Sequence, residues 1–212
     1  MAVRLAQFAG IFYSSDPDQL SAQLAELLLL TKAEHQITRA IISPQNGYVY
    51  SGMVAASAFR CLQYNCDVIK KVLLVSYSDK VSPGKLVFTN TEAFATPLGN
   101  VPVDTESVQQ CLTLPNCEID NDKHQETFSL EVQLPFLQLC LLDFTIVPMI
   151  VGANGDIFDK GLNEAVQFES VLLDWGIPAE DLIIEENSKN THETAVETKK
   201  VLANFPEVEN FL

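Results

Sequence analysis

Apolar residues in this chain recur with two different periods. After Asp16-Pro17, leucines stand at 20, 24, 27 and 28, the three-to-four spacing of one buried helix face running to about Leu30. Asp16 is suited to cap that helix, Pro17 fits its first position, and Gln19 can complete a capping box. The stretches Ile37–Ser43, Val72–Tyr77 and Phe144–Val151 are instead continuous apolar runs. They read as strands buried on both faces. Gly52–Leu62 reads as a small-residue helix packed close to a neighbour, and Thr105–Leu112 as a short helix. Ser129–Leu142 reads as one helix with Leu130, Leu134, Leu137 and Leu141 inward, kinked at Pro135 by a lost hydrogen bond. Further on, the pattern predicts a helix over Asp159–Trp175 closed by Gly176, a short strand at Asp181–Glu185, and a last helix over Thr191–Ala203. Alternation of this kind predicts an α/β fold, a three-layer arrangement with a mostly parallel sheet flanked by helices.

In an open parallel sheet, ligands gather beyond the carboxyl ends of the strands. The predicted strands place three loops there. They are Ser43–Gly47, Ser76–Asp79 and Gly152–Gly155.

Composition narrows the choice of partner. The 212 residues carry 13 Lys plus Arg against 28 Asp plus Glu, a formal charge of −15. Such a chain is not expected to track nucleic-acid phosphates or an anionic membrane surface. At 47% hydrophobic it is no disordered acidic tail. The excess is uneven: residues 1–150 hold 15 acids and 9 bases, residues 151–212 hold 13 acids and 4 bases. That shift predicts a boundary near Gly152, dividing 1–152 from 153–212. Met1–Gln7 has no signal-peptide character, and no apolar run is long enough to span a bilayer. The five cysteines are odd in number and lack C-x-x-C spacing, so reduced thiols in the cytoplasm are expected.

General catalytic signatures are absent: the sequence has no phosphate-binding loop, dinucleotide fingerprint, zincin helix or nucleophile elbow. His35, His124 and His192 have no metal-ligand spacing, and each reads as a surface or capping residue.

Longer stretches do resemble a known family. Phe8–Tyr13 followed by the Asp16-Pro17 helix resembles the opening of the Memo family, called AmmeMemoRadiSam system protein B in bacteria. Gly47–Gly52 is similar to its P-H-A-G-Y-x-Y-S-G stretch. Ala95–Gly99 with Val103-Asp104 is similar to its T-P-L-G…V-D segment. Ser129–Leu137 is similar to its E-H-S-x-E-x-x-L-P-F run, and Phe144–Pro148 to the strand that follows. The resemblance covers about 1–152 and implies a fold like that of class III extradiol dioxygenases. It also implies a strand-end cluster of histidines able to hold iron or copper.

This chain departs from that cluster. The family's P-H-A-G-Y histidine falls on Gln45. Its G-P-S-H-H falls on Val75-Ser76-Tyr77-Ser78-Asp79, which places Ser78 and Asp79 where imidazoles are expected. Its E-H becomes Thr127-Phe128. A mononuclear site wants imidazoles, thiolates or carboxylates in a convergent set. The expectation is therefore no metal and no cofactor, with Gln45, Asn46, Tyr48, Ser78, Asp79, Phe128, Ser129 and Glu131 as the candidate pocket. Asp79, Glu131 and Asp104 together form a possible oxygen-rich patch for a hard cation. Helix capping and first-turn charge are the plainer roles for Ser129 and Glu131.

The last 60 residues resemble part of a bacterial domain of unknown function that includes SanA- and YdcF-like proteins. The resemblance rests on Gly176-Ile177-Pro178, Ile183-Ile184-x-Glu and Ser188-x-Asn190-Thr191-x-Glu193. It implies a loop candidate at Ser188, Asn190, Thr191 and Glu193. A divergent Memo-type ending fits the same residues less closely.

Two functions follow from these readings. One is a cytoplasmic Memo-like module without metal chemistry, which binds a protein or peptide. The other is an enzyme with a divergent polar pocket at Ser78, Asp79, Glu131 and the Gln45–Tyr48 loop, in a hydrolase, transferase or oxidoreductase-like role.

Overall fold

The structure is a computed structural model that describes residues 2–32, 38 and 40–152. The chain divides into two compact units, Met1–Ala153 and Asn154–Leu212, and the described residues belong to the first. The helix and strand expected between 159 and 185, the final helix from Thr191, and the loop candidates Ser188, Asn190, Thr191 and Glu193 lie outside the described residues.

The first predicted helix forms as α1 over Pro17–Leu30. Asp16 caps it by accepting from the Gln19 amide, and Leu20, Leu24 and Leu28 are buried. Each fully buried leucine contributes about 1.5–3 kcal/mol through apolar burial. Helix α2 spans Tyr48–Arg60 and begins four residues before the expected Gly52. The reason for glycine there is spatial, because a Cβ on Gly52 would stand 2.9 Å from Leu27 Cδ1 of α1. Strand β1 is Val3–Arg4, and β2 is Lys71–Ser78. Strands β3 to β5 are Leu86–Phe88, Ala93–Thr96 and Gly99–Pro102. Helix α3, Thr105–Cys111, is capped by Asp104. Strand β6 is Cys117–Ile119 and α4 is Asn121–Glu126. Next come α5 at Phe128–Glu131 and α6 at Leu134–Cys140, and then β7 at Thr145–Gly152.

The expected single helix over Ser129–Leu142 is thus two helices, α5 and α6. Pro135 sits in the first turn of α6 rather than at a mid-helix kink. Its missing N–H falls where an unpaired donor would otherwise need capping, so the proline starts a helix instead of bending one.

The fold is α/β, with mixed sheets flanked by helices. One sheet runs β2-β7-β3-β6 and the other β1-β4-β5. β2 and β7 are parallel in an eight-residue register from Lys71↔Thr145 to Ser78↔Gly152. β3 is antiparallel to β7 and parallel to β6. Three of the five strand pairings, β1–β4, β2–β7 and β3–β6, are parallel, with antiparallel pairings at β3–β7 and β4–β5. Short strands β3 to β6 carry too little periodicity to be seen in sequence, and three of them, β3, β5 and β6, reverse direction. The sheets are tied where Asp104 N donates to Ile146 O at 2.8 Å.

Two predicted strands differ from their reading. β7 is buried on both faces, but β2 is not: Leu73, Val75 and Tyr77 are 53%, 43% and 55% exposed. Exposure alternates along β2, so one of its faces packs inward and the other stays open. In the apolar run Ile37–Ser43, the described residues Thr38 and Ala40–Ser43 carry no strand, and Ile42 is 92% exposed. An apolar run becomes a strand only when it finds ladder partners, and no described residue pairs with this one.

The core joins α1, α2, α6 and β7. Phe59 of α2 stacks on Phe136 of α6 with centroids 5.1 Å apart, and Tyr48 packs on the same ring at 5.0 Å. All five cysteines are free thiols. Burial pushes the Cys140 thiol up to about 12, as expected of an inert core residue.

Candidate functional site

The candidate residues come from the 44–48 loop, the end of β2, and α5. The structure gives them separate duties.

Glu131 is wholly buried and is the centre of a network built from the N-terminal segment. Its Oε2 accepts from Arg4 Nη1 at 2.5 Å and from Gln7 N at 3.1 Å. Its Oε1 accepts from Phe8 N at 2.8 Å and from the Tyr13 hydroxyl at 2.7 Å. Arg4 is equally buried, and its other donors reach the carbonyls of His124 and Thr127 at 2.7 and 3.1 Å. Its guanidinium also lies 5.0 Å from the centroid of the Phe94 ring. Two opposite charges can be buried together when each is satisfied in this way. Glu131 is therefore a structural anchor and does not line an open pocket. Within α5 it is the acidic residue of the first turn, as expected.

Tyr48 is likewise internal. Its hydroxyl donates to Val132 O at 2.6 Å, and its ring stacks on Tyr13 at 5.5 Å. Burial, followed by the neighbouring Tyr13 and Glu131, holds the Tyr48 phenol well above its ordinary pKa. Burial and the bond to Glu131 do the same for Tyr13. Both phenolic protons are engaged, one by Val132 O and the other by Glu131 Oε1. One edge of Tyr48 does reach a shallow cavity of about 380 Å³ between the Gly10–Ser15 loop, Gln23 and the first turn of α2.

Phe128 stands where the resemblance places a histidine. Its ring stacks on Phe12 with centroids 4.6 Å apart at 22°, and meets Phe8 edge-on at 5.8 Å. Phe8 and Phe12 are themselves edge-to-face at 5.7 Å. Three half-buried rings thus bind α5 to the opening segment, and such pairs add to ordinary apolar burial.

Ser129 does approach the β2 end. Its hydroxyl contacts that of Ser76, and both residues are buried. Gln133 links this spot to the 44–46 loop, since Nε2 donates to Pro44 O at 3.1 Å and to Ser129 O at 3.2 Å. Gln133 Oε1 is buried without a partner. Gln45 is half-buried and Asn46 exposed, the latter offering its carbonyl to the Ser51 hydroxyl at 3.0 Å. Beyond β2, Ser78 Oγ accepts from Lys80 N at 3.2 Å and Asp79 is exposed. The 44–46 loop and the end of β2 meet at α5 through Gln133, Ser76 and Ser129, and residues 153–155 of the third loop lie outside the described residues.

The proposed carboxylate patch does not assemble. Asp104 caps α3 and pairs with Lys71 at 2.5 Å, at the opposite end of β2 from Asp79. Eight strand residues separate those ends by roughly 20 Å. Lys71, followed by the Ser107 amide, lowers the Asp104 carboxyl to about 2. Among the described residues, no group of three or more His, Cys, Asp or Glu side chains could hold a metal ion.

The reading of His124 as a surface residue is also corrected. It is 1% exposed, its Nε2 bonds Val87 O at 3.1 Å, and its ring meets Phe94 edge-on. Burial lowers its pKa to about 4.

Residues that sequence reasoning left out of the candidate set are Arg4, Tyr13 and Gln133, while Ser76 stood in the expected Ser76–Asp79 loop. Arg4 carried a readable signal, as a single basic residue in an apolar opening. Gln133 carried none.

An α/β layer fold with Gly47–Gly52, Ser129–Phe136 and Thr145–Gly152 in these positions defines a dioxygenase-like class of protein. The Memo-like protein family matches residues 4–174, and this chain belongs to that family. It is 37% identical over 157 residues to a MEMO1 family protein of Archaeoglobus fulgidus, covering 73% of this chain and 56% of that protein. A MEMO1 family protein of Thermotoga neapolitana is 33% identical over 207 residues, covering 89% and 73%. Protein MEMO1 of Xenopus laevis is 31% identical over 193 residues, covering 82% and 63%. The chain thus spans from just over half to about three quarters of the length of these relatives. No helix among the described residues is long and apolar enough to cross a membrane.

The metal implied by the family resemblance does not fit the donors that the described residues present. Gln45 offers an amide oxygen, Ser78 a hydroxyl and Phe128 no donor at all, leaving Asp79 as the strong ligand. One carboxylate is far short of a transition-metal set.

Proposed function

We propose that this Memo-family chain is a non-catalytic binding or adaptor module of the cytoplasm whose ligand is a protein or peptide, and that it uses neither metal nor cofactor. The observation that carries the reading is the Phe128 ring, packed on Phe12 and Phe8 at the position of a family histidine. That packing spends the position on holding the opening segment to α5. The acidic balance of −15 supports a partner other than nucleic acid.

The second reading, a hydrolase or transferase with a divergent pocket, has one observation in its favour. Ser76, Ser129 and the unpartnered Gln133 Oε1 form a buried polar group at a strand end. It lacks a base: Glu131 is occupied by four donors, and Asp79 is exposed beyond the strand. The adaptor reading is therefore preferred.

A division of the chain near Gly152 belongs to the same proposal in a weaker form. The family match extends to residue 174, so the compositional change falls inside the matched span and favours a divergent Memo-type continuation.

The test is metal content. The purified full chain is incubated with iron(II), copper(II) or zinc(II) salts, desalted, and analysed by inductively coupled plasma mass spectrometry. Less than about a tenth of an equivalent of each metal is expected, because one carboxylate does not make a site. A stoichiometric metal that survives desalting overturns the proposal.

A further inference from the structure

We draw no further inference here: the strongest candidate, the exposed apolar face of β2 formed by Leu73, Val75 and Tyr77, carries none, because nothing among the described residues shows what covers it.

Discussion

Arg4 and Glu131, 127 positions apart, form a buried ion pair at 2.5 Å. The two-residue strand β1 is thereby fastened to α5, and with it the whole opening segment up to Tyr13. Breaking one side of such a pair leaves an uncompensated buried charge, at a cost of about 3–5 kcal/mol. Glu131→Gln and Arg4→Met are each expected to lower stability by that amount. The double variant should cost clearly less than the sum of the two, since both charges leave together. Urea denaturation of the four proteins gives the coupling. Additive losses would mean that the pair is not the anchor described.

Phe128 is expected to be structural. Phe128→Ala removes the stack on Phe12 and the edge contact with Phe8. Because the ring is half-buried, the loss should fall below the fully buried range, at about 2 kcal/mol. Phe128→Leu, which keeps apolar bulk, should recover roughly half of it. Equal losses for the two variants would argue that ring stacking, rather than apolar volume, dominates.

Gly152 ends β7 where the backbone of another loop crosses it. A Cβ there would lie 1.9 Å from the carbonyl oxygen of Ser82. The Gly152 amide also donates to Lys85 O at 2.8 Å, which holds the two backbones together. Gly152→Ala is expected to cost about 3 kcal/mol or more, at the upper end of overpacking losses, since backbone cannot swing aside as a side chain can. The contrasting position is Gly52, where the nearest atom is the end of the Leu27 side chain. Gly52→Ala should cost less than about 1 kcal/mol, because helix propensity offsets the clash. Thermal unfolding of the two variants distinguishes them.

His124 sets a pH dependence of stability. Its folded pKa is lowered by burial from 6.5 to about 4. Between those values the unfolded chain binds a proton that the folded chain does not, so stability falls as the pH drops through that window. It is fully present above about 6.5 and fully lost below about 4. The loss is on the order of 3 kcal/mol. His124→Gln should flatten the profile between pH 4 and 6.5 in urea titrations at stepped pH. Asp104 adds a separate slope at lower pH. Its folded pKa of about 2 lies below the ordinary 3.8, so its contribution is present above 3.8 and is lost as the pH falls towards 2.

Much of this was legible from local pattern. Leucine spacing and the Asp16 cap located α1 to the residue, and the apolar runs located β2 and β7 within a residue at each end. These are features in which a few neighbouring side chains decide the backbone. The family membership was visible in the same way, since the motifs at Gly47–Gly52, Ser129–Leu137 and Phe144–Pro148 kept their order.

What the sequence could not decide concerns partners far apart in the chain. Whether Glu131 lines a pocket or holds Arg4 depends on contacts more than 110 positions away. Whether His124 is solvated depends on Val87 and Phe94, and whether β2 is covered on one face or both depends on what packs against it. Local periodicity records which face of an element is apolar, because that follows from the geometry of one helix or one strand. Tertiary packing alone decided that the polar residues of the motif serve as internal struts, because desolvating a charge is tolerable only where the fold brings its counter-charge and hydrogen bonds to meet it.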